Sequence, residues 1–135
     1  MKYLADTSAL VRIQRNQAPP DWDDVIERGL VAICEPVLAE MMRLANAKVY
    51  PAVEDAIFRL YPRAVIPDDI WATVSAIRRE LVEPSAYHGL SVADLVIAAT
   101  ATRLELTVLH EDVDFETIAR HVPEFRQHRV STPPE

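Results

Sequence analysis

Five carboxylates interrupt apolar sequence in this chain of 135 residues. Asp6 ends the run "KYLA". Glu40 lies inside "PVLAEMMRLANA", where helical spacing puts Val37 and Leu44 on its face. Asp94 opens "SVADLVIAATATRL", with Ile97 and Ala98 one turn on. Asp112 and Asp114 follow "TVLH" in "LHEDVDF". Brought together, such groups repel, and burying each one unpaired costs several kcal/mol. Either their pKa values rise or cations sit between them. Oxygen ligands with no His/Cys set favour Mg²⁺ or Mn²⁺ over zinc. That donor set suits phosphate chemistry, in which an ion lowers the pKa of a bound water, orients it in line and steadies the leaving oxygen.

Each acid also has an ordinary structural reading. Asp6 or Ser8 can cap the helix that follows. Asp94 completes a capping box with Ser91. Asp114, before "FETIA", reads as an N-cap, and Asp112 as a turn residue. Glu40 has no such role, because no cap explains a glutamate beside an apolar stripe. Singly the two readings compete; jointly, five acids drawn to one edge favour a cation site.

The elements that must position them alternate between strand and helix. Apolar runs predict strands at "KYLA", "LVAIC" (30–34), "RAVIP" (63–67) and "ELTVLH" (105–110), with "HRVS" (128–131) as a fifth, edge strand. Helices are predicted from Asp6 through "TSALVRIQ", from Asp21 to Arg28 with Gly29 closing it, from Pro36 to Ala47, and from Pro51 to Tyr61. Residues 68–83 place Ile70, Val74, Ile77 and Leu81 on one helical face. Residues 91–104 are apolar nearly all round, which predicts a buried helix. "DFETIARHV" completes the set. Such alternation implies an α/β fold with a mostly parallel sheet covered on both faces. Its site lies beyond the carboxyl ends of the strands, where Asp6 and Asp112 stand. One domain spans 1–130, and 131–135 reads as a loose C-terminal tail.

Composition narrows the field. Half the residues are hydrophobic, enough for a core without staples. Two glycines, with no GxGxxG or GxxxxGK pattern, argue against a Gly-rich phosphate loop. The single Cys34 excludes an intrachain disulfide and a multi-cysteine zinc site, and it reads as buried in "LVAIC". No stretch is long and apolar enough to span a membrane, and the N-terminus lacks a signal-peptide pattern. A cytoplasmic location is expected. The net charge of −7 argues against gripping duplex nucleic acid by charge alone. Setting the five acids aside leaves −2, so Arg12, Arg15, Arg43, Arg78 and Arg79 can still meet a phosphate chain. A solvated helix face is their ordinary meaning. His110 reads as a proton-transfer group or a strand-end cap. Trp22, Trp71, Tyr50, Tyr61 and Phe58 read as core or partner contacts rather than base-stacking platforms. Met41, Met42, Leu44, Val53, Ile57 and Leu60 suit either a groove for a partner helix or packing on the sheet.

"LADTSAL", the helical Glu40, "LSVADLVIAATA" and "VLHEDVDFETIA" together resemble the PIN-domain family, and within it the VapC toxins of bacterial toxin–antitoxin pairs. The resemblance covers almost the whole chain, in order. It implies a Rossmann-like three-layer α/β/α sandwich and Mg²⁺- or Mn²⁺-dependent endoribonuclease activity. By motif, Asp6, Glu40, Asp94 and Asp112 are the catalytic acids and metal ligands, with Asp114 a fifth ligand. Glu35 competes weakly with Glu40. Thr7 and Ser8 would contribute hydroxyl or backbone contacts near the metal. The implied partners are an RNA substrate (tRNA, rRNA or mRNA), a cognate VapB-like antitoxin and a second copy in a homodimer. Water rather than the ribose 2′-OH would attack, giving 5′-phosphate and 3′-hydroxyl ends.

Other readings fit less well. A haloacid-dehalogenase-type phosphotransferase needs a second Asp where this chain has Ser8. A receiver-like switch needs a late Lys, and the only lysines are Lys2 and Lys48. A catalytically inactive PIN-like scaffold that binds a partner has no reason to keep mutually repelling carboxylates.

Overall fold

Tyr3, Leu4 and Ala5 form β1 (Tyr3–Ala5), wholly buried at the centre of a parallel sheet. The computed structural model describes every residue from Met1 to Glu135. After β1 come α1 (Thr7–Gln14), α2 (Asp21–Glu27), β2 (Val31–Ala32), α3 (Glu35–Met42) and α4 (Tyr50–Leu60). The chain continues through α5 (Ile70–Glu80), α6 (Val92–Arg103), β3 (Thr107–His110), α7 (Val113–His121) and β4 (Gln127–Arg129). The sheet order is β2-β1-β3-β4, all parallel. Parallel strands need crossovers, and the seven helices supply them, making an α/β/α sandwich.

Register explains where the acids end up. Leu4 pairs with Ala32 on one side and Val108 on the other, and Ala5 pairs with Leu109. The ladder runs one residue further, because the Asp6 N–H donates to the Leu109 carbonyl at 2.9 Å. Chain connection reverses direction at β1: β2 lies to one side, and the chain then crosses back to β3 on the other. Such a switch point opens a crevice at the carboxyl ends of the strands. Asp6 follows β1 there, and Glu111 and Asp112 follow β3.

The core is continuous and includes Leu4, Val31, Val108, Leu109, Phe115 and Ile118. In α6, every residue from Val96 to Ala101 is buried, as its all-round apolar sequence predicts. The helix packs on α5 and β3. Cys34 is buried, with its thiol pushed up to about 11, chiefly by burial. Trp22 is buried against Tyr3 and His128. Its Nε1 donates to the carbonyls of Val130 and Thr132, holding the start of the 131–135 segment.

Several predicted boundaries are corrected. Residues 63–67 form no strand, only a single parallel bridge between Ile33 and Arg63. Pro62 precedes the stretch and Pro67 ends it, and neither can donate to a ladder, while Val65 is exposed to solvent. The sheet therefore has four strands rather than five. The last of them starts one residue early, at Gln127. The helix predicted from Pro36 to Ala47 stops at Met42. Leu44 beyond it is exposed, and the Asn46 side chain accepts from the N–H groups of Lys48 and Val49, turning the chain into α4. The fourth strand begins at Thr107 because Glu105 has a positive φ (56°) and ends α6 instead. No helix is long and apolar enough to cross a membrane.

Candidate metal centre

A cleft of about 450 Å³ opens at the carboxyl edge of β1 and β3. Asp6, Glu40, Asp94, Asp112 and Asp114 all line it, with Thr7, Ser8, Gly89, Ser91 and Ala93. Ala93 supplies its one apolar side chain, and no Lys or Arg takes part. All five acids singled out by the sequence therefore face one opening, and no guanidinium neutralises them.

Local structure fixes each acid. Asp6 is buried and caps α1, its Oδ2 accepting from the Ser8 N–H at 3.1 Å and the Ser8 hydroxyl at 2.7 Å. The same Ser8 hydroxyl accepts the Glu111 N–H at 2.9 Å, so one side chain ties Asp6 to the chain leaving β3. Asp94 closes a capping box with Ser91, as its spacing predicts. The cap of α7 is a correction: Asp112, not Asp114, holds it, with Oδ1 accepting the Asp114 N–H at 2.9 Å. This frees Asp114 to face the cleft. Glu40, in the last turns of α3, is exposed at the rim. Capping and cleft lining are thus compatible, because a carboxylate spends one oxygen on backbone and keeps the other.

The tightest group is Asp94, Asp112 and Asp114, which offer one oxygen each within 4.8 Å of one another. Opposed ligands of an octahedral Mg²⁺ stand about 4.2 Å apart, twice its bond length. The trio, with Asp6 and Glu40 in the same cleft, fits a hard divalent cation by donor type and near-spacing. A second observation agrees: Thr7 lines the cleft with a buried hydroxyl that has no partner within the chain.

Electrostatics carry the same message. Asp94 titrates above the ordinary 3.8, first through burial and then through the charges of Asp6 and Asp112, although Ser91 opposes the shift. Burial and the Asp112 charge raise Asp114 as well. Both acids bind protons more readily folded than unfolded. Without a divalent ion, their contribution to stability therefore rises as pH falls from above the raised values toward 3.8. In EDTA, the melting temperature of Asp94→Asn should exceed that of wild type at neutral pH. The gap should close as pH approaches 3.8, and melts across that range check it.

Two neighbours of the acids are handled differently. Arg129 donates to Glu111 at 3.0 Å and to Glu116. Burial raises Glu111, but hydrogen bonds from Ser131 and Arg129 outweigh it and hold its carboxyl low. The Arg129 hydrogen bond does the same for Glu116. One arginine thus pairs with the two acids outside the cleft and leaves the five inside unpaired. His110 is fully buried; its Nδ1 accepts the Asp112 N–H at 3.0 Å and its Nε2 meets Gln127 Oε1 at 2.6 Å. That pattern puts the proton on Nε2. Burial lowers the imidazole pKa, so neutral His110 steadies the Asp112 backbone. Arg12, Arg15 and Arg43 lie outside the cleft lining and make no ion pair.

Sequence reading missed Arg129 and Glu111, whose partners lie 13 to 103 residues away. It also passed over Gly89 and Ser91 as cleft wall, although "HGLS" directly precedes the flagged helix.

Comparison with known proteins agrees. A sequence model of the PIN domain matches residues 3–121. The chain is 37% identical over 101 residues to ribonuclease VapC6 of Mycobacterium tuberculosis, across 74% of this chain and 80% of that one. It is 33% identical to ribonuclease VapC2 of the same organism, across 98% and 96%. Among solved structures, VapBC-1 from nontypeable Haemophilus influenzae matches with a TM-score of 0.77 at 14% identity, over 98% of this chain and 100% of that one. VapBC2 from Rickettsia felis, bound to a DNA fragment from its promoter, matches with 0.73 at 18%, over 96% and 98%. The five-acid cleft, the parallel sheet that builds it and these likenesses lead to one conclusion: the chain belongs to the PIN-domain family, alongside the VapC proteins.

Proposed function

We propose that this chain is a divalent-metal-dependent endoribonuclease and the toxin of a toxin–antitoxin pair. One observation carries the reading: five carboxylates line one cleft that no basic side chain enters. The curated relatives named above are ribonucleases of the VapC type, and the fold neighbours are VapBC assemblies. Asp6, Asp94, Asp112 and Asp114 would hold Mg²⁺ or Mn²⁺, with Glu40 at the rim. When bound, the ion supplies Lewis-acid stabilisation of the phosphate and lowers the pKa of its water. Ser8 fixes Asp6 against the chain after β3, and His110 and the α7 cap fix Asp112. Glu40, the exposed acid, orients the attacking water. The protein is cytoplasmic and works as a homodimer that a VapB-like antitoxin holds inactive. Its substrate is a tRNA, rRNA or mRNA.

End-group analysis tests the chemistry. Total RNA incubated with the purified protein and Mg²⁺ or Mn²⁺ should yield fragments with 5′-phosphate and 3′-hydroxyl ends, and EDTA should stop the reaction. Fragments ending in 2′,3′-cyclic phosphate, or cleavage that persists in EDTA, would overturn it.

A further inference from the structure

The turn between α5 and α6 carries two exposed rings. Tyr87 is 40% exposed and His88 is also exposed, and their centroids stand 4.0 Å apart at 34°. Ala86 and Leu90 on either side pack against the core, and the Leu90 N–H closes the turn on the Tyr87 carbonyl. The turn, anchored at both ends, thus presents both rings at the surface. Neither belongs to the core, so folding gives no reason to stack them there. Their position does. The next residue, Gly89, lines the acidic cleft, and a Cβ on it would lie 4.0 Å from Asp114 Oδ1.

A chain of net charge −7 with an acidic site gains from a means of holding RNA that does not depend on charge. Aromatic stacking is such a means, because every nucleobase has a π-face and unpaired bases can be splayed onto a ring. We propose that Tyr87 and His88 form a stacking platform for an unpaired RNA base next to the phosphate in the cleft. This deepens the nuclease reading and rests on it: the substrate presents a single-stranded segment at the cut. The geometry favours a base over a protein side chain, because the platform adjoins the cleft assigned to a phosphate chain.

Fluorescence anisotropy with a short labelled oligoadenylate in Mg²⁺ tests the proposal on the full-length chain. The probe is checked by gel for integrity, and an abasic ribose-phosphate chain of equal length serves as competitor. Tyr87→Ala with His88→Ala should weaken binding about tenfold to a hundredfold, the loss of one stacked base. Tyr87→Trp should restore it, and the abasic chain should compete poorly. The melting temperature should not move, since both rings are exposed. Unchanged binding by the alanine variant, equal competition by the abasic chain, or no binding by wild type would each overturn the platform. The two readings can fail separately. Cleavage with unchanged binding in the alanine variant sinks the platform alone. Ring-dependent binding without cleavage in any divalent ion supports the platform and sinks the nuclease.

Discussion

Asp94→Asn should reduce RNA cleavage more than about a hundredfold while leaving the fold intact. The amide keeps the shape of the side chain and can still accept the Ser91 N–H, so the capping box at the start of α6 survives. What it loses is charge. Asp94 is one of three acids whose oxygens lie within 4.8 Å of one another; in the proposed role as a metal ligand, its loss would forfeit several kcal/mol of charge stabilisation at the phosphate. Each 1.36 kcal/mol is a factor of ten in rate. Asp6→Asn should behave alike, because Asp6 lines the same cleft and its amide form can still cap α1. The assay is turnover on total RNA, with circular dichroism as the fold control. Cleavage by both variants at wild-type rates would refute the assignment of the site.

The largest effect on stability should come from Trp22→Ala, at about 3–5 kcal/mol. Trp22 is 1% exposed, and its ring meets Tyr3 edge-on at 5.1 Å and His128 at 5.5 Å. The side chain therefore joins α2, the central strand and the chain beyond the edge strand. Truncation opens a cavity among them. It also strips the Nε1 donor from the Val130 and Thr132 carbonyls, the first of which belongs to a fully buried residue. A domain holds only about 5–15 kcal/mol in total, so the melting temperature should fall by roughly 10 °C or more. Trp22→Phe, which loses the donor but only part of the ring volume, should cost less. Thermal melts in EDTA compare the three proteins without interference from metal binding. A fall of under about 3 °C for Trp22→Ala would contradict the packing described here.

Much of this was legible because the signals are local. Asp6 stops a buried strand and caps the next helix, and both facts lie within eight residues of sequence. The apolar wrap of 91–104 marks a buried helix wherever it packs. The convergence of acids followed from placing strand ends together by the rules of parallel sheets. What escaped is either a competition between local forces or a contact across long sequence. "RAVIP" carries a strand composition, but the prolines before it and at its end remove ladder donors, and only Arg63 pairs. Asp112 and Asp114 are both good caps by type; backbone geometry chose the former. Arg129 reaches Glu111 and Glu116 only because β4 lies beside β3, which no spacing in the sequence announces. The Tyr87–His88 pair went unnoticed because adjacent residues carry no periodicity.

In the function proposed, acids remote in sequence repel one another in a shared cleft until a divalent ion joins them. Thermal melts of wild type and Asp94→Asn at neutral pH, in EDTA and then in Mg²⁺ or Mn²⁺, address it directly. In EDTA the variant should melt higher than wild type, since removing the charge relieves first the cost of its burial and then its repulsion by Asp6 and Asp112, the causes that raise the Asp94 pKa. Either ion should raise wild type and move the variant far less. A wild-type protein indifferent to both ions, or a variant less stable than wild type in EDTA, would contradict it.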